Sequence, residues 1–489
     1  MTNRIRRSRI DAVRTPKSPF GRRPVSAGLN FTLLTNVAER THLFTHRTAV
    51  HQPDHPRTTP PFAGTREDRL NQPKVSAQPC ASPNLNCDVR ACSDVATSVM
   101  FVQSQQAFGA DSQVHATLIE ALKSRFDIHV ACNAGSARDS EALAKFSGIS
   151  GITVLPSGFG PTFTYQSRLR KLIGAFQLPS VLTASWRLLR YTRRSQVRIV
   201  HCTEKPRDCL YGLILQRFAG ARLVVHLHVG YAPYFSRVTR KAVRDADAVI
   251  AISDFVKRTV LESGARDSGV HVVPNALSPE PWLSEKDARD GTRRSLAIRD
   301  DQVVITVAAR LFRWKGQDFL VRAAAELVGE FPSLVVLIVG GDDSAAHPGT
   351  LPFSAELLEL ARELGVEANV RLLGVRRDMP AIYDATDVFC LPSTEEPFGM
   401  VFLEAMARQR PVVAFASGGA PEVVEDGVVG KLATPLDVAS LAAALRPLLR
   451  DPGLRRTMGE AGLLRVRTKF LPGQVAPLVA QLYEQLADS

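Results

Sequence analysis

The sequence predicts an α/β protein made of two Rossmann-like domains facing across a cleft and preceded by a disordered N-terminal segment. Three observations lead there. Short apolar runs alternate with amphipathic helical stretches from Met100 onward, the alternation restarts after a polar interval over residues 281–300, and the first 99 residues show neither period. Apolar runs separated by helical stretches predict a parallel sheet covered by helices, because strands buried on both faces read as continuous hydrophobic segments. Two such units in one chain generate a cleft between them, the preferred place for a ligand.

Composition agrees with two domains and an appendage. A chain of 489 residues exceeds one ordinary domain. Its hydrophobic fraction of 45% and charged fraction of 22% describe a soluble globular protein. Nothing approaches 18 unbroken apolar residues, so no transmembrane helix is expected, and the Arg-rich start lacks the apolar core of a secretory leader. Residues 1–99 hold 15 Lys/Arg against 7 Asp/Glu, which is +8 of the chain's +13 and leaves +5 for the other 390 residues. The same segment carries 10 of the 31 prolines. It offers too little apolar surface to offset the entropy of ordering, so it is expected to be disordered. Its basic residues are scattered and without an aromatic platform, which argues against a nucleic-acid-binding arm; an organellar transit peptide, also basic and acid-poor, is the other reading. Met100 directly precedes FVQSQQ, which reads as a first strand, so translation is expected to begin at or near Met100 with residues 1–99 dispensable. The seven cysteines include no C-x-x-C pair and are odd in number, which speaks against zinc or disulfide frameworks and fits a reducing cytoplasm.

The first domain, residues 100–280, takes its strands from MFVQSQ, FDIHVACN, ITVLPS, VRIVHC, ARLVVHLHV, DAVIAIS and VHVVPN. Helical patterns such as HATLIEALKSR and CLYGLILQRFAG lie between them. The charged interval 281–300 reads as a linker. The second domain, residues 301–472, has strands VVITVAARL, SLVVLIVGG, NVRLLG, DVFCLPS, PVVAFA and GKLAT. Its helices fall near Gln317–Glu330, Ala355–Leu364, Met379–Ala385, Gly399–Arg408, Ala420–Glu425 and Val438–Leu449. Residues 473–489 form one more helix with no strand after it, expected to return to the first domain.

The stretch Ser393–Gly419, STEEPFGMVFLEAMARQRPVVAFASGG, is the most informative in the chain. Pro397 fits the first position of a helix, where its missing N–H costs nothing. The amides of Phe398, Gly399, Met400 and Val401 are then the unpaired donors of a first turn, suited to phosphate. Gly399, without a Cβ, lets a ligand approach the backbone. Glu404 leans from the helix toward its N-terminus, while Glu396 sits in the preceding loop. Eight residues of continuous helix would separate these carboxylates by about 12 Å and roughly 80° around the axis. They suit two different contacts on one ligand better than a paired acid/base dyad.

These residues, with others around them, resemble glycosyltransferase family 4, the retaining enzymes of GT-B fold. AARLFRWKGQDFLVRA resembles the family segment that holds a pyrophosphate, here through Arg310 and Lys315. The run from Gly374 through DMPAIYDATDVFCLPS looks like the base-binding loop and the strand after it. Glu396 and Glu404 match the family's E-x7-E, and PVVAFASGGAPEVVEDGVVGKL is similar to its closing run. The resemblance covers residues 100–487 and is densest from Thr306 to Pro435. It implies that Glu404 hydrogen-bonds the ribose of a nucleotide, and that Glu396 contacts donor-sugar hydroxyls with the Gly399, Met400 and Val401 backbone. It also implies that Arg310 and Lys315 neutralise charge growing on the departing diphosphate. Alternation puts His226 and His228 on one face. The family carries a histidine facing the donor sugar after this strand, and His228, two residues before Gly230, is the better match. The catalytic candidates are therefore Glu396, Lys315, Arg310 and His228. The donor-binding candidates are Glu404, Gly399, Met400, Val401, Phe398, Gly374 and Gly109, the last being the one glycine of QQAFGADSQ where the family often has two. Arg410 departs from the small residue common before Pro411.

The activity this implies is retaining transfer from a nucleoside diphosphate sugar to a hydroxyl acceptor (a glycan, a lipid-linked sugar or a small molecule), without metal or other cofactor. No nucleic-acid partner is expected. Residues 166–198 place eight Lys/Arg around an apolar centre, which suits either peripheral contact with an anionic membrane at its inner face or a solvated basic helix. Three other classes fit less well. An epimerase of the same fold would consume donor without an acceptor, and a non-catalytic binding protein would not need the basic pair and both glutamates. A dehydrogenase would need a Gly-rich dinucleotide fingerprint, which neither QQAFGADS nor AARLFRWKG supplies.

Overall fold

The computed structural model describes residues 96–134, 140–159, 178–232, 235–264, 267–284, 287–342 and 352–489. Most of the segment expected to be disordered, and the first part of the basic stretch at 166–177, lie outside them. Two parallel sheets organise the rest. The first runs β3-β2-β1-β4-β5-β6-β7 and the second β10-β9-β8-β11-β12-β13. The first sheet's strands are β1 Ser98–Gln103, β2 Asp127–Asn133, β3 Thr153–Ser157, β4 Ile199–Thr203, β5 Arg222–Leu227, β6 Ala248–Ala251 and β7 Val270–Val272. The second has β8 Val304–Ala308, β9 Val335–Val339, β10 Val370–Gly374, β11 Val388–Leu391, β12 Val412–Phe415 and β13 Gly430–Ala433. β1, β4, β8, β9, β11 and β12 are buried along their whole length, which is why they appear in the sequence as largely apolar runs.

Strand order reverses between β1 and β4 in one sheet and between β8 and β11 in the other. At such a switch point neighbouring loops leave in opposite directions and open a crevice beyond the carboxyl ends of the strands. The loops after β1, β4, β8 and β11 are therefore the ones the topology selects for a ligand, and they carry Gly109, Glu204, Arg310 with Lys315, and Glu396 with Gly399.

Three boundaries differ from the sequence reading. The first strand begins at Ser98, two residues before Met100. Ser98 and Val99 are buried, Ser98 pairs with Asp127 across the sheet, and its hydroxyl lies 2.8 Å from His129 Nε2. Residues 98 and 99 are thus part of the first strand. The interval 281–300 contains a helix, Arg289–Ser295, fixed to the second domain. Arg293 is 2% exposed and reaches Asp387, while its other nitrogen donates to the carbonyls of Arg299 and Gln302. That anchoring is ionic and lacks an apolar stripe, so periodicity misses it. Lastly, the helix after Glu396 spans Met400–Ala407 with Gly399 as its N-cap, so Pro397 is a loop residue and not the first helical position.

The terminal helix, Pro472–Asp488, packs on the first domain. Val475, Val479, Leu482 and Tyr483 join a core with Val99, Phe101, Leu118 and Ile128. Each domain's remaining core is built from the inner faces of its sheet and covering helices, and the largest cluster continues across both.

Candidate functional site

The site is built where the β8 and β11 loops meet. After β8 the chain places Arg310 at the surface, with its guanidinium carbon 4.8 Å from the centre of the Phe312 ring. A 3-10 turn, Arg313–Lys315, then brings the Lys315 ammonium over Trp314 and to 2.7 Å from Glu396 Oε2. Ser393 Oγ donates to the same carboxylate oxygen at 3.0 Å. Lys315 and Glu396, expected to make separate ligand contacts, are thus an ion pair with side chains only 16% and 8% exposed. Such a pair holds both groups in position, and each can exchange its partner for a ligand group of the same sign.

Backbone geometry fixes the carboxylate. Gly418 has φ +61, and a Cβ there would stand 2.3 Å from the Glu396 carbonyl oxygen. That carbonyl accepts the Gly419 amide at 2.6 Å. Gly399 has φ +92 and faces the Phe402 ring, 2.3 Å from where its Cβ would lie. Glycine is needed there for the turn into the helix as well as for access, since few other residues tolerate that conformation. With the helix beginning at Met400, the amides of Met400 and Val401 are first-turn donors without a helical acceptor. The Phe402 amide turns back to the Gly399 carbonyl at 3.0 Å. Phe398 is 3% exposed and meets Phe470 edge-on, so its ring is core, and it precedes the N-cap, which leaves Met400 and Val401 of the expected amides in the first turn.

Glu404 accepts a hydrogen bond from the Tyr383 hydroxyl at 2.9 Å. Enclosure by protein raises its pKa from 4.5 to about 7, against the lowering effect of Tyr383. Tyr383 was not singled out in the sequence; it lies in DMPAIYDATDV, on the Met379–Ala385 helix, and nothing in its spacing marks it. Gly374 ends β10 with φ +64 and open space around it, and its carbonyl accepts the Gly340 amide.

Across the cleft, Ser253 Oγ donates to the Pro397 carbonyl at 2.7 Å, and the Glu422 carboxylate accepts the Asp254 and Phe255 amides at 2.7 and 2.8 Å. Gly230 lies close to Glu395, whose Oε1 is 3.7 Å from its would-be Cβ. The loop that follows His228 therefore approaches the loop that holds Glu396. The His228 amide donates to Glu204 Oε2 at 3.2 Å, while its Nε2 has no partner. Burial, then the Lys205 ammonium and His201, lower the His228 pKa from 6.5 to about 3, so the ring is neutral. Glu204, beside it, is raised from 4.5 to about 7 by burial. Gly109 caps the Ala110–Leu122 helix in an extended conformation open to any residue, next to Asp111, which pairs with Lys205.

His228 belongs to a larger network. His115 Nε2 and His201 Nε2 both lie 3.2 Å from His226 Nδ1, and His201 Nδ1 is 2.6 Å from the Tyr483 hydroxyl. Ligand nitrogens of His115, His226 and His228 lie within 4.8 Å of one another. No metal-binding spacing is visible in the sequence, yet the fold gathers three imidazoles from a helix and the end of a strand; only folding makes that group apparent.

Two family models match the chain, one described as Glycosyl transferases group 1 over residues 288–465, the other as Glycosyltransferase Family 4 over residues 112–280. A GDP-mannose-dependent alpha-(1-6)-phosphatidylinositol monomannoside mannosyltransferase of Mycolicibacterium smegmatis is 34% identical over 263 residues, covering 51% of this chain and 66% of that protein. A D-inositol 3-phosphate glycosyltransferase of Kribbella flavida is 35% identical over 232 residues, covering 46% and 53%. The chain thus spans between about half and two thirds of the length of these two relatives. Among solved structures, Anabaena HepE in complex with UDP superposes with a TM-score of 0.66 at 23% identity, covering 80% of this chain and 100% of that one. The two domains, each with its own switch point, are the GT-B architecture. The two family models follow one another along both domains and together take in well over half of the sequence: the chain belongs to glycosyltransferase family 4.

Proposed function

We propose that this protein is a retaining glycosyltransferase that moves a sugar from a nucleoside diphosphate sugar to a hydroxyl acceptor. The observation that carries the reading is the buried Lys315–Glu396 pair set beside the Met400 and Val401 amides, with the Glu404–Tyr383 pair further along the same helix. A diphosphate at the helix start meets two amides, Lys315 and Arg310, all of which favour negative charge. Glu404, when ionised, accepts two ribose hydroxyls, and Glu396 accepts hydroxyls of the sugar. The neutral His228 faces the sugar from the other domain.

As the bond from the anomeric carbon to the phosphate oxygen breaks, charge grows on the diphosphate, where Lys315 and Arg310 stabilise it. The acceptor oxygen attacks from the side the diphosphate leaves, and its proton passes to the departing phosphate oxygen. One glycosidic bond forms, one sugar–phosphate bond breaks, and the configuration is kept. Glu396 is occupied by Lys315 and Ser393 and serves to position the sugar, so no double displacement is invoked. No metal or other cofactor takes part in this scheme.

The test is direct. Lys315→Ala and Glu404→Ala are each expected to lower turnover by a factor of a hundred or more, the order lost with one electrostatic contact in a transition state, while circular dichroism stays unchanged. Near-normal activity in either variant breaks the assignment. A panel of nucleotide sugars scored by thermal shift identifies the donor, and consumption of donor in the absence of any acceptor would favour an epimerase instead.

The acceptor is a glycan, a lipid-linked sugar or a small molecule, met in the cytoplasm or at the inner face of its membrane. The Leu178–Arg194 helix supports the membrane option. Leu182 and Trp186 are 63% and 58% exposed, Arg190 stacks on Trp186, and Phe218 stands 55% exposed next to Arg217. Apolar side chains ringed by arginine fit an anionic lipid surface. Among the described residues no helix is long and apolar enough to cross a membrane. Vesicles containing anionic phospholipid are expected to pellet the protein, and Trp186→Glu to release it; no pelleting of the unaltered protein ends the idea.

A further inference from the structure

A second basic site lies away from the cleft, at the other end of the Met400–Ala407 helix. A cavity of about 270 Å³ is lined by Arg289, Arg410, Arg455 and Arg456 together with Asp387. Four guanidinium groups thus share one lining carboxylate, and that carboxylate is already satisfied. Asp387 Oδ1 takes Arg289 Nη2 at 2.7 Å, and Oδ2 takes Arg293 Nη1 at 3.3 Å and the Val304 amide at 2.8 Å. The neighbouring Asp384 is held by Arg408 at 2.6 Å. Arg455 spends Nη1 on the carbonyls of Leu448 and Leu449 at 2.7 and 3.2 Å. Arg410 Nε is buried with no hydrogen-bond partner.

A guanidinium cannot lose its proton to escape burial, as a lysine can. A buried charged donor without an acceptor is costly, and a cavity that sets that donor beside three further guanidinium groups is a place where an anion recovers the lost interaction. The planar donor fork matches the tetrahedral oxygens of phosphate, to which arginine binds in bidentate fashion.

We propose that this arginine-lined cavity binds a soluble phosphate anion at a site separate from the sugar-nucleotide cleft. Arg410 and Arg456 supply the donors that hold it, and Arg289 and Arg455 supply the field. The site does not depend on the proposed transferase activity, since its residues lie outside the β8 and β11 loops.

Because the cleft is itself expected to bind phosphate, the experiment uses an Arg310→Ala, Lys315→Ala background. Inorganic phosphate and pyrophosphate are titrated by calorimetry at constant ionic strength set with sodium chloride. One equivalent of anion is expected to bind, and adding Arg456→Ala or Arg410→Ala to the background is expected to weaken it at least tenfold. Arg456 lies on the exposed face of its helix, so its replacement tests the proposal even if Arg410→Ala fails to fold. A control, Arg362→Ala on a distant helix, leaves binding unchanged. Absence of binding in the background protein, or equal binding after Arg456→Ala, overturns the proposal. Loss of phosphate binding here with full transferase activity in the Arg456→Ala single variant separates this site from the cleft.

Discussion

Glu404 shows how one side chain couples burial to use. Its carboxyl is raised to about 7 by enclosure, with Tyr383 as its hydrogen-bond donor. A raised carboxyl pKa means that the folded protein holds the proton more tightly than the unfolded chain. The associated stability is complete below the unfolded value of 4.5 and is lost as pH rises through about 7. Glu404→Gln removes that titration, so stability of the ligand-free variant is expected to fall less than that of the unaltered protein between about pH 5 and pH 8. Donor binding runs the other way, because an ionised carboxylate is the better acceptor for ribose hydroxyls. The donor KM is expected to drop as pH climbs from about 6 to 8 and to stay flat in Glu404→Gln. Thermal denaturation and initial rates across that range measure both; parallel profiles in the two proteins would remove Glu404 from the site. At this scale the sequence showed only part of the site. Glu396, Glu404, Lys315 and Arg310 are candidates that the sequence offers because they lie in short local patterns. Tyr383, Glu204, His115 and His201 did not, since their roles arise from partners as far as 282 residues away, as with His201 and Tyr483. No local spacing encodes such a contact.

The helix that begins at Met400 is set by the turn before it. Gly399 sits at φ +92 against the Phe402 ring, so alanine there strains the backbone and crowds the ring at once. Gly399→Ala is expected to destabilise the protein by about 1–3 kcal/mol and to weaken donor binding, because the Met400 and Val401 amides move with the turn. A calorimetric scan alongside donor titration checks this, and an unchanged melting temperature would show that the turn relaxes freely. The sequence placed this helix correctly in kind and shifted its start by three residues. A proline followed by apolar residues reads as a helix opening, but the Gly419 amide bound to the Glu396 carbonyl and the Ser253 hydroxyl bound to the Pro397 carbonyl keep Pro397 in the loop. The Arg289–Ser295 helix escaped for a different reason. It is held by ion pairs to Asp387 and not by an apolar stripe, so an arginine-rich stretch looked like a solvated linker.

The alternation of strands and helices was legible at the scale of the molecule because strands buried on both faces leave continuous apolar runs, and both sheets came out in their right number and place. The exact start of the first sheet was less so, since Ser98 is a polar residue buried by its bond to His129. A chain cut to begin at Met100 loses Ser98 and Val99 from the centre of a sheet, together with the Arg198 amide's acceptor at Ser98. Such a cut is expected to lower the melting temperature by several degrees relative to one beginning at residue 96, as loss of buried strand residues does in domains of this size. Equal melting curves for the two truncations would return the boundary to Met100.

The terminal helix has one more implication. β1 and the Pro472–Asp488 helix belong to the same domain, with the whole second domain encoded between them. The first domain to emerge from the ribosome therefore waits for the last segment to cover Val99, Phe101 and Leu118, while the second domain has all its strands before that segment is made. Domains commonly fold in the order of synthesis. In this chain that order is reversed: the later-encoded domain has all its strands first, and the nascent first domain carries an uncovered apolar face until the Pro472–Asp488 helix is made.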